Sequence, residues 1–224
     1  MSKIAVAVFN RKGGVGKTTI AVVLAELALM RRNRVLAVDL DPSGNFTSAF
    51  GFLKDSVFRD SFRVKSTLEP EDADAPEEWI VIDCSPALDD AARFAMDFSD
   101  ITVLPVRPDY FSVYPIRMLE TIAKKQGKTR SQLPLVKVGF DMSLMAKVVN
   151  QIIQEGGYPV AEDLPMHKSI PYNITTGRIW SMGLTARSRR PYERLYTKLT
   201  KAVERLSEGE TDIHEVWKSE GDAE

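Results

Sequence analysis

Lys12-Gly13-Gly14-Val15-Gly16-Lys17-Thr18-Thr19 sets glycines, a lysine and hydroxyls at a spacing suited to holding a polyphosphate. The stretch follows the apolar run Ile4 to Phe9 and opens a segment of helical period. Glycines let a backbone curl with its N–H groups turned inward, and a helix N-terminus behind them adds partial positive charge. In such a loop Lys17 reaches the β- and γ-phosphates, and the Thr18 hydroxyl ligates Mg2+. A glycine-rich turn that only joins strand to helix is the plainer alternative, but it has no need of Lys-Thr in register with both elements.

Two carboxylate blocks belong beside that loop. Val38-Asp39-Leu40-Asp41-Pro42-Ser43-Gly44-Asn45 ends a second strand-like run. Ligands of open parallel sheets sit outside the strand C-termini, so Asp39 and Asp41 should face the loop. The alternative for this pair is helix capping ahead of Phe46. Trp79-Ile80-Val81-Ile82-Asp83-Cys84-Ser85-Pro86 is an apolar strand ending in aspartate, the Walker B pattern that puts a carboxylate on the metal side of a phosphate site. Cys84 reads as a small buried residue.

The loop departs from the common Gly-x4-Gly-Lys-Thr form because position 11 is arginine, and it carries a second lysine, Lys12. In this it resembles the deviant Walker A ATPases of the ParA/MinD family, nearest to ParA-type plasmid and chromosome partition ATPases, whose loop reads Lys-Gly-Gly-x-Gly-Lys-Thr. The resemblance implies a P-loop NTPase with ATP and Mg2+ as cofactors, contacting nucleotide from Lys12 through Thr19. It gives Lys12 a role across a nucleotide-sandwich homodimer like that of an arginine finger, a contact worth roughly 10³ to 10⁵ in rate. It makes Lys12, Lys17 and Asp41 the catalytic set, with Asp41 orienting the attacking water. Asp39 would support the Mg2+ water shell alongside Thr18 and Asp83. Ser43 stands where the family has glutamine, and Ser85 departs from its Asp-x-Pro-Pro. Leu104-Pro105-Val106 with Pro108 resembles the next family strand. Ser169-Ile170-Pro171-Tyr172-Asn173 resembles the late segment near the adenine, which assigns Pro171 and Tyr172 to the base pocket.

Elements that would position these groups alternate along the chain. Continuous apolar runs at Ile4 to Phe9, Val35 to Val38, Trp79 to Ile82 and Ile101 to Val106, with a weaker one at Leu135 to Phe140, read as strands buried on both faces. Helical periods lie between them: Ile20, Val23, Leu24 and Leu27 share one face, and further helices are expected at Asp89 to Phe98, Val113 to Gln126, Ser143 to Glu155 and Pro191 to Leu206. This is an α/β fold, a mainly parallel twisted sheet flanked by helices on both faces. Lys54 to Glu78 reads as a loop with a marginal strand near Phe62-Arg63-Val64. Residues 1–206 form the expected ATPase domain, and 207–224 an acidic tail expected to be disordered.

Charge sharpens the choice of partner. The 224 residues carry a formal net charge of -1, with seven acidic residues and one lysine in the stretch from Ser207 to the end. What precedes it is therefore basic. Arg187, Arg189, Arg190, Arg194, Lys198 and Lys201 cluster late in that body, and such a stripe neutralises phosphates without reading bases. The resemblance adds non-specific DNA binding by the ATP dimer and a cargo-bound activating adaptor protein. A MinD-like membrane role is the alternative, disfavoured because the polar face around Ile213, Val216 and Trp217 is acidic. A biosynthetic ligase is the third reading and has no use for Lys12. With a single cysteine, internal disulfides, multi-cysteine metal sites and iron-protein-like electron transfer are excluded. Neither an Asn-Lys-x-Asp guanine motif nor a tyrosine-rich tail is present. The first apolar run has no cleavage pattern, and Ile20 to Met30 is too short to span a bilayer, so the expected location is cytoplasmic, on the nucleoid when ATP is bound.

Overall fold

The computed structural model describes residues 3–51, 58–166 and 186–218, side chains excepted at 186–188. Seven strands form one parallel sheet in the order β3-β2-β4-β1-β5-β6-β7. They are β1 (Ile4–Val8), β2 (Val35–Asp39), β3 (Phe62–Lys65), β4 (Trp79–Asp83), β5 (Ile101–Val106), β6 (Leu135–Val138) and β7 (Val160–Leu164). The helices are α1 (Lys17–Met30), α2 (Asn45–Ala49), α3 (Asp90–Phe98), α4 (Tyr110–Val113), α5 (Ile116–Lys125), α6 (Leu144–Glu155), α7 (Ala186–Ser207) and α8 (His214–Trp217).

Alternation along each central strand builds two cores. Val6 and Val8 of β1 pack with Val35, Val81 and Val103 under α1, α2 and α7, while Ala5, Ala7 and Phe9 pack with Leu36, Ile80, Ile82 and Leu104 under α3, α5 and α6. Coverage of both faces is why these strands read as unbroken apolar runs. Strand β1 lies at the sheet centre, so the loop that follows it opens at the C-terminal edge where the connections diverge to either side. Among the described residues, no helix is long and apolar enough to cross a membrane.

Three features differ from expectation. Strand β7 reads poorly in the sequence because Glu162 and Asp163 interrupt it; both are neutralised from neighbouring elements, Glu162 by Arg194 at 2.8 Å and Asp163 by Lys137 at 2.9 Å. Helix α7 begins at Ala186, so Pro191 lies inside it rather than in its first turn, where it forfeits one N–H of the ladder. Packing compensates. Tyr192, Leu195, Tyr196, Leu199, Ala202 and Val203 are buried along one face, and Tyr196 stacks on Trp79 with ring centres 4.5 Å apart. The tail also departs from disorder as far as Lys218. Ile213 and Trp217 are buried in the core, and the Trp217 indole N–H donates to the Ser131 carbonyl at 2.7 Å.

Candidate phosphate-binding site

Between β1 and α1 the chain curls through Gly14 at φ 72° and Gly16 at φ 103°, left-handed values that a side chain resists. A Cβ at Gly13 or Gly14 would meet nothing within 4 Å, so the loop borders open space rather than packed protein. Gly16 is the N-cap of α1 and offers no side-chain cap, leaving the first-turn N–H groups to an anion. Lys17 is only 6% exposed, and its Nζ donates to the Lys12 carbonyl at 3.1 Å. Burial lowers its pKa against the opposing pull of Asp83 and Asp41. A buried ammonium held by a neutral carbonyl is a good host for a phosphate.

Strand register brings the carboxylates together. Asp39 stands beside Asp83 in the β2–β4 pairing, and Val8 beside Asp83 in the β1–β4 pairing. Asp83 is fully buried, and neither of its oxygens makes a hydrogen bond of good geometry. Burial pushes its pKa up to about 7; Asp39 and Asp41 add to the rise, while the Thr18 hydroxyl and Lys17 oppose it. Two orphaned carboxylate oxygens near a threonine hydroxyl are hard donors of the sort Mg2+ takes. Among the described residues no three acidic, histidine or cysteine side chains gather into a cage. The donor set therefore fits an ion shared with phosphate oxygens and water, as Mg2+ commonly is.

Asp39 and Asp41 also shape the backbone. Asp39 Oδ2 accepts from the Thr47 N–H at 2.8 Å and from its hydroxyl at 2.9 Å, and Asp39 Oδ1 accepts from the Asp41 N–H at 3.2 Å. Asp41 Oδ1 accepts from the Ser43 N–H at 2.9 Å. Of this pair only Asp39 caps α2, through the first-turn Thr47 N–H, while Asp41 braces the turn ahead of the helix, whose N-cap is Gly44. Burial pushes the Cys84 thiol well up, which keeps it unreactive.

Lys12 is tied twice to the segment after β5. Its N–H donates to Asn10 Oδ1 at 2.9 Å, and buried Asn10 in turn donates to the Pro105 and Ser112 carbonyls at 2.8 and 2.9 Å. Its Nζ pairs with Asp109 Oδ1 at 2.6 Å. Arg107 Nη1 reaches the Gly14 carbonyl at 3.5 Å. Asn10, Arg107 and Asp109 were not among the residues expected here. The Asp109-x-x-Ser112 spacing could have marked a helix cap, but nothing local joins it to Lys12.

On the same sheet edge, Phe111 and Tyr114 are 74% and 70% exposed, and Met142 and Leu144 are 83% and 79% exposed. Contact between α4, which carries Phe111, and α6, which carries Leu144, sets these exposed groups on neighbouring elements, and contiguous apolar surface of that kind marks interaction sites.

The basic residues of α7 are used unevenly. Arg194 forms a two-point pair with Glu162, and Lys198 Nζ bridges the Ala161 and Trp217 carbonyls at 2.8 and 3.1 Å. Arg189 pairs with Glu193 at 3.0 Å, whereas Arg190 and Lys201 are exposed. The Arg187 side chain, and both Pro171 and Tyr172, lie outside the described residues.

Known proteins share this architecture. The chromosome partitioning protein ParA of Caulobacter vibrioides NA1000 is 25% identical over 228 residues, covering 79% of this chain and 84% of that protein. The maintenance of carboxysome distribution protein A of Halothiobacillus neapolitanus is 29% identical, over 82% of this chain and 88% of that protein. In fold, the chain is similar to a Borrelia burgdorferi B31 plasmid partition protein solved with AMPPNP, at a TM-score of 0.69 and 19% identity, covering 92% of this chain and all of that one. Residues 6–177 match the CobQ/CobB/MinD/ParA nucleotide binding domain, well over half of the sequence. The chain belongs to that family.

Proposed function

We propose that the chain is a Mg2+-dependent ATPase of the ParA/MinD kind. It closes into a homodimer over paired ATP, holds DNA without reading its sequence, and releases it on hydrolysis stimulated by a cargo-bound partner. One observation carries this reading: the glycine loop, with buried Lys17 behind it and orphaned Asp83 beneath it, also bears a second lysine on its rim.

In this mechanism Lys17 exchanges the Lys12 carbonyl for β- and γ-phosphate oxygens, and the loop N–H groups and α1 N-terminus cradle the phosphates. Mg2+ bound with the nucleotide neutralises phosphate charge, and Thr18, Asp83 and Asp39 are the groups that would hold it or its waters. Asp41 orients the attacking water. Lys12 reaches the partner subunit's phosphates, and the exposed Phe111, Tyr114, Met142 and Leu144 provide apolar surface beside it for the second copy. DNA is held through the cations that α7 leaves to solvent, Arg190 and Lys201, together with Arg187 and Arg189 of its first turns. Ile213 and Trp217, apolar residues of the acidic segment after α7, are buried against the body and so are turned away from any membrane.

Relatives are named for chromosome partitioning and for carboxysome distribution, and an ATP-driven positioning cycle is common to both names. Lys17→Ala is expected to abolish ATP-dependent retention on non-specific DNA. Undiminished retention in that variant contradicts the reading.

A further inference from the structure

We infer that Asp109 is a positioning residue that restrains Lys12 within its own subunit and must release it before Lys12 can act across a dimer; this rests on the role proposed above for Lys12. The salt bridge is short, 2.6 Å from Lys12 Nζ to Asp109 Oδ1, and its two side chains are 35% and 28% exposed. The same Asp109 oxygen accepts the Ser112 N–H at 3.0 Å as the N-cap of α4. The carboxylate is thereby fixed in place before the lysine arrives, and only one flexible side chain has to be ordered to form the pair.

The backbone reinforces the restraint. Asn10 Oδ1 accepts the Lys12 N–H, and its Nδ2 donates to the Ser112 carbonyl, so main chain and side chain of Lys12 both end on the turn from Asp109 to Ser112. That turn also carries Tyr110 and Phe111, which face solvent on the edge where a second subunit would dock. Contact with a partner at those rings and departure of Lys12 from Asp109 therefore involve one small structural unit. Partial exposure keeps the pair weak enough to break. An exposed or half-exposed ion pair shifts an equilibrium by up to about fivefold, which makes it a bias on each subunit rather than a lock.

Asp109→Asn removes the charge while retaining a good N-cap residue, so α4 stays formed. The first measurement is the acylation rate of the Lys12 amine in nucleotide-free protein, read by mass spectrometry. Asp109→Asn should raise it about two- to fivefold at low salt, with less effect at high salt. The second is AMPPNP-dependent dimerisation by sedimentation. Asp109→Asn should strengthen it, and the gain should vanish in a Lys12→Gln background where no pair exists to break. An unchanged acylation rate overturns the inference, as does a dimerisation change that persists with Lys12→Gln. A wild-type chain that fails to dimerise with AMPPNP, while Lys12 acylation still rises in Asp109→Asn, refutes the sandwich dimer and leaves the restraint standing.

Discussion

Asp39 and Thr47 are joined at two points: Asp39 Oδ2 accepts both the backbone N–H of Thr47, at 2.8 Å, and its hydroxyl, at 2.9 Å. A carboxylate at the end of β2 thereby holds the first turn of α2, and with it the intervening loop that carries Asp41. Asp39→Ala should destabilise the fold by about 1–3 kcal/mol, because it leaves three donors unmet, the Thr47 N–H and hydroxyl and the Asp41 N–H, and releases that loop. Thr47→Val keeps the N–H bond and should cost about 1 kcal/mol. Urea unfolding measures both. Equal losses would show that the hydroxyl carries the whole contact.

Asp83 gives a pH signature. Its folded pKa, near 7, lies above the unfolded value of 3.8, so the folded protein holds a proton that the unfolded chain releases. Stability from this group is present at low pH and falls as pH rises from about 4 to about 7. Asp83→Asn should therefore stabilise the ligand-free protein increasingly over that window, by about 4 kcal/mol at pH 8, while abolishing Mg2+-dependent hydrolysis. Unfolding curves at pH 5 and pH 8 test this. A wild-type-to-variant difference that does not grow with pH argues against a protonated Asp83.

Trp217 tests the closing segment. The indole is 2% exposed and hydrogen-bonded to Ser131, and Lys198 holds the Trp217 carbonyl. Trp217→Ala should cost about 3–5 kcal/mol in thermal or urea unfolding, as expected for a buried aromatic. A disordered tail would give no change.

The cations of α7 should separate by role. Loss of Arg190 and Lys201 together is expected to reduce the log-log salt slope of DNA binding by about 2. Arg194→Ala should leave the slope and instead lower stability by about 1–3 kcal/mol, because it strands the shielded carboxylate of Glu162. Fluorescence anisotropy across a salt series distinguishes the two. An Arg194→Ala slope change equal to that of a surface cation would place it on DNA.

Local pattern carried much of this architecture and little of its wiring. β1, β2, β4 and β5 were plain because burial on both faces leaves unbroken apolar runs. β7 was hidden by Glu162 and Asp163, whose partners Arg194 and Lys137 come from other elements. The acid-rich composition around Trp217 outweighed its two apolar neighbours, since composition does not report a hydrogen bond to Ser131. Glycines and Lys17 announced a phosphate loop by type and spacing alone. The Lys12–Asp109 pair had no such signal, because only the β1–β5 adjacency in the sheet brings the two segments together.

The central claim is that two subunits hydrolyse ATP together, with Lys12 acting in trans. The direct measurement is turnover per subunit as a function of protein concentration, for the wild type and for Lys12→Ala. The account predicts turnover per subunit that climbs with concentration until dimerisation saturates, and a Lys12→Ala variant that still binds nucleotide yet loses that turnover by roughly 10³-fold or more. Turnover per subunit that is independent of concentration and unaltered in Lys12→Ala would contradict it.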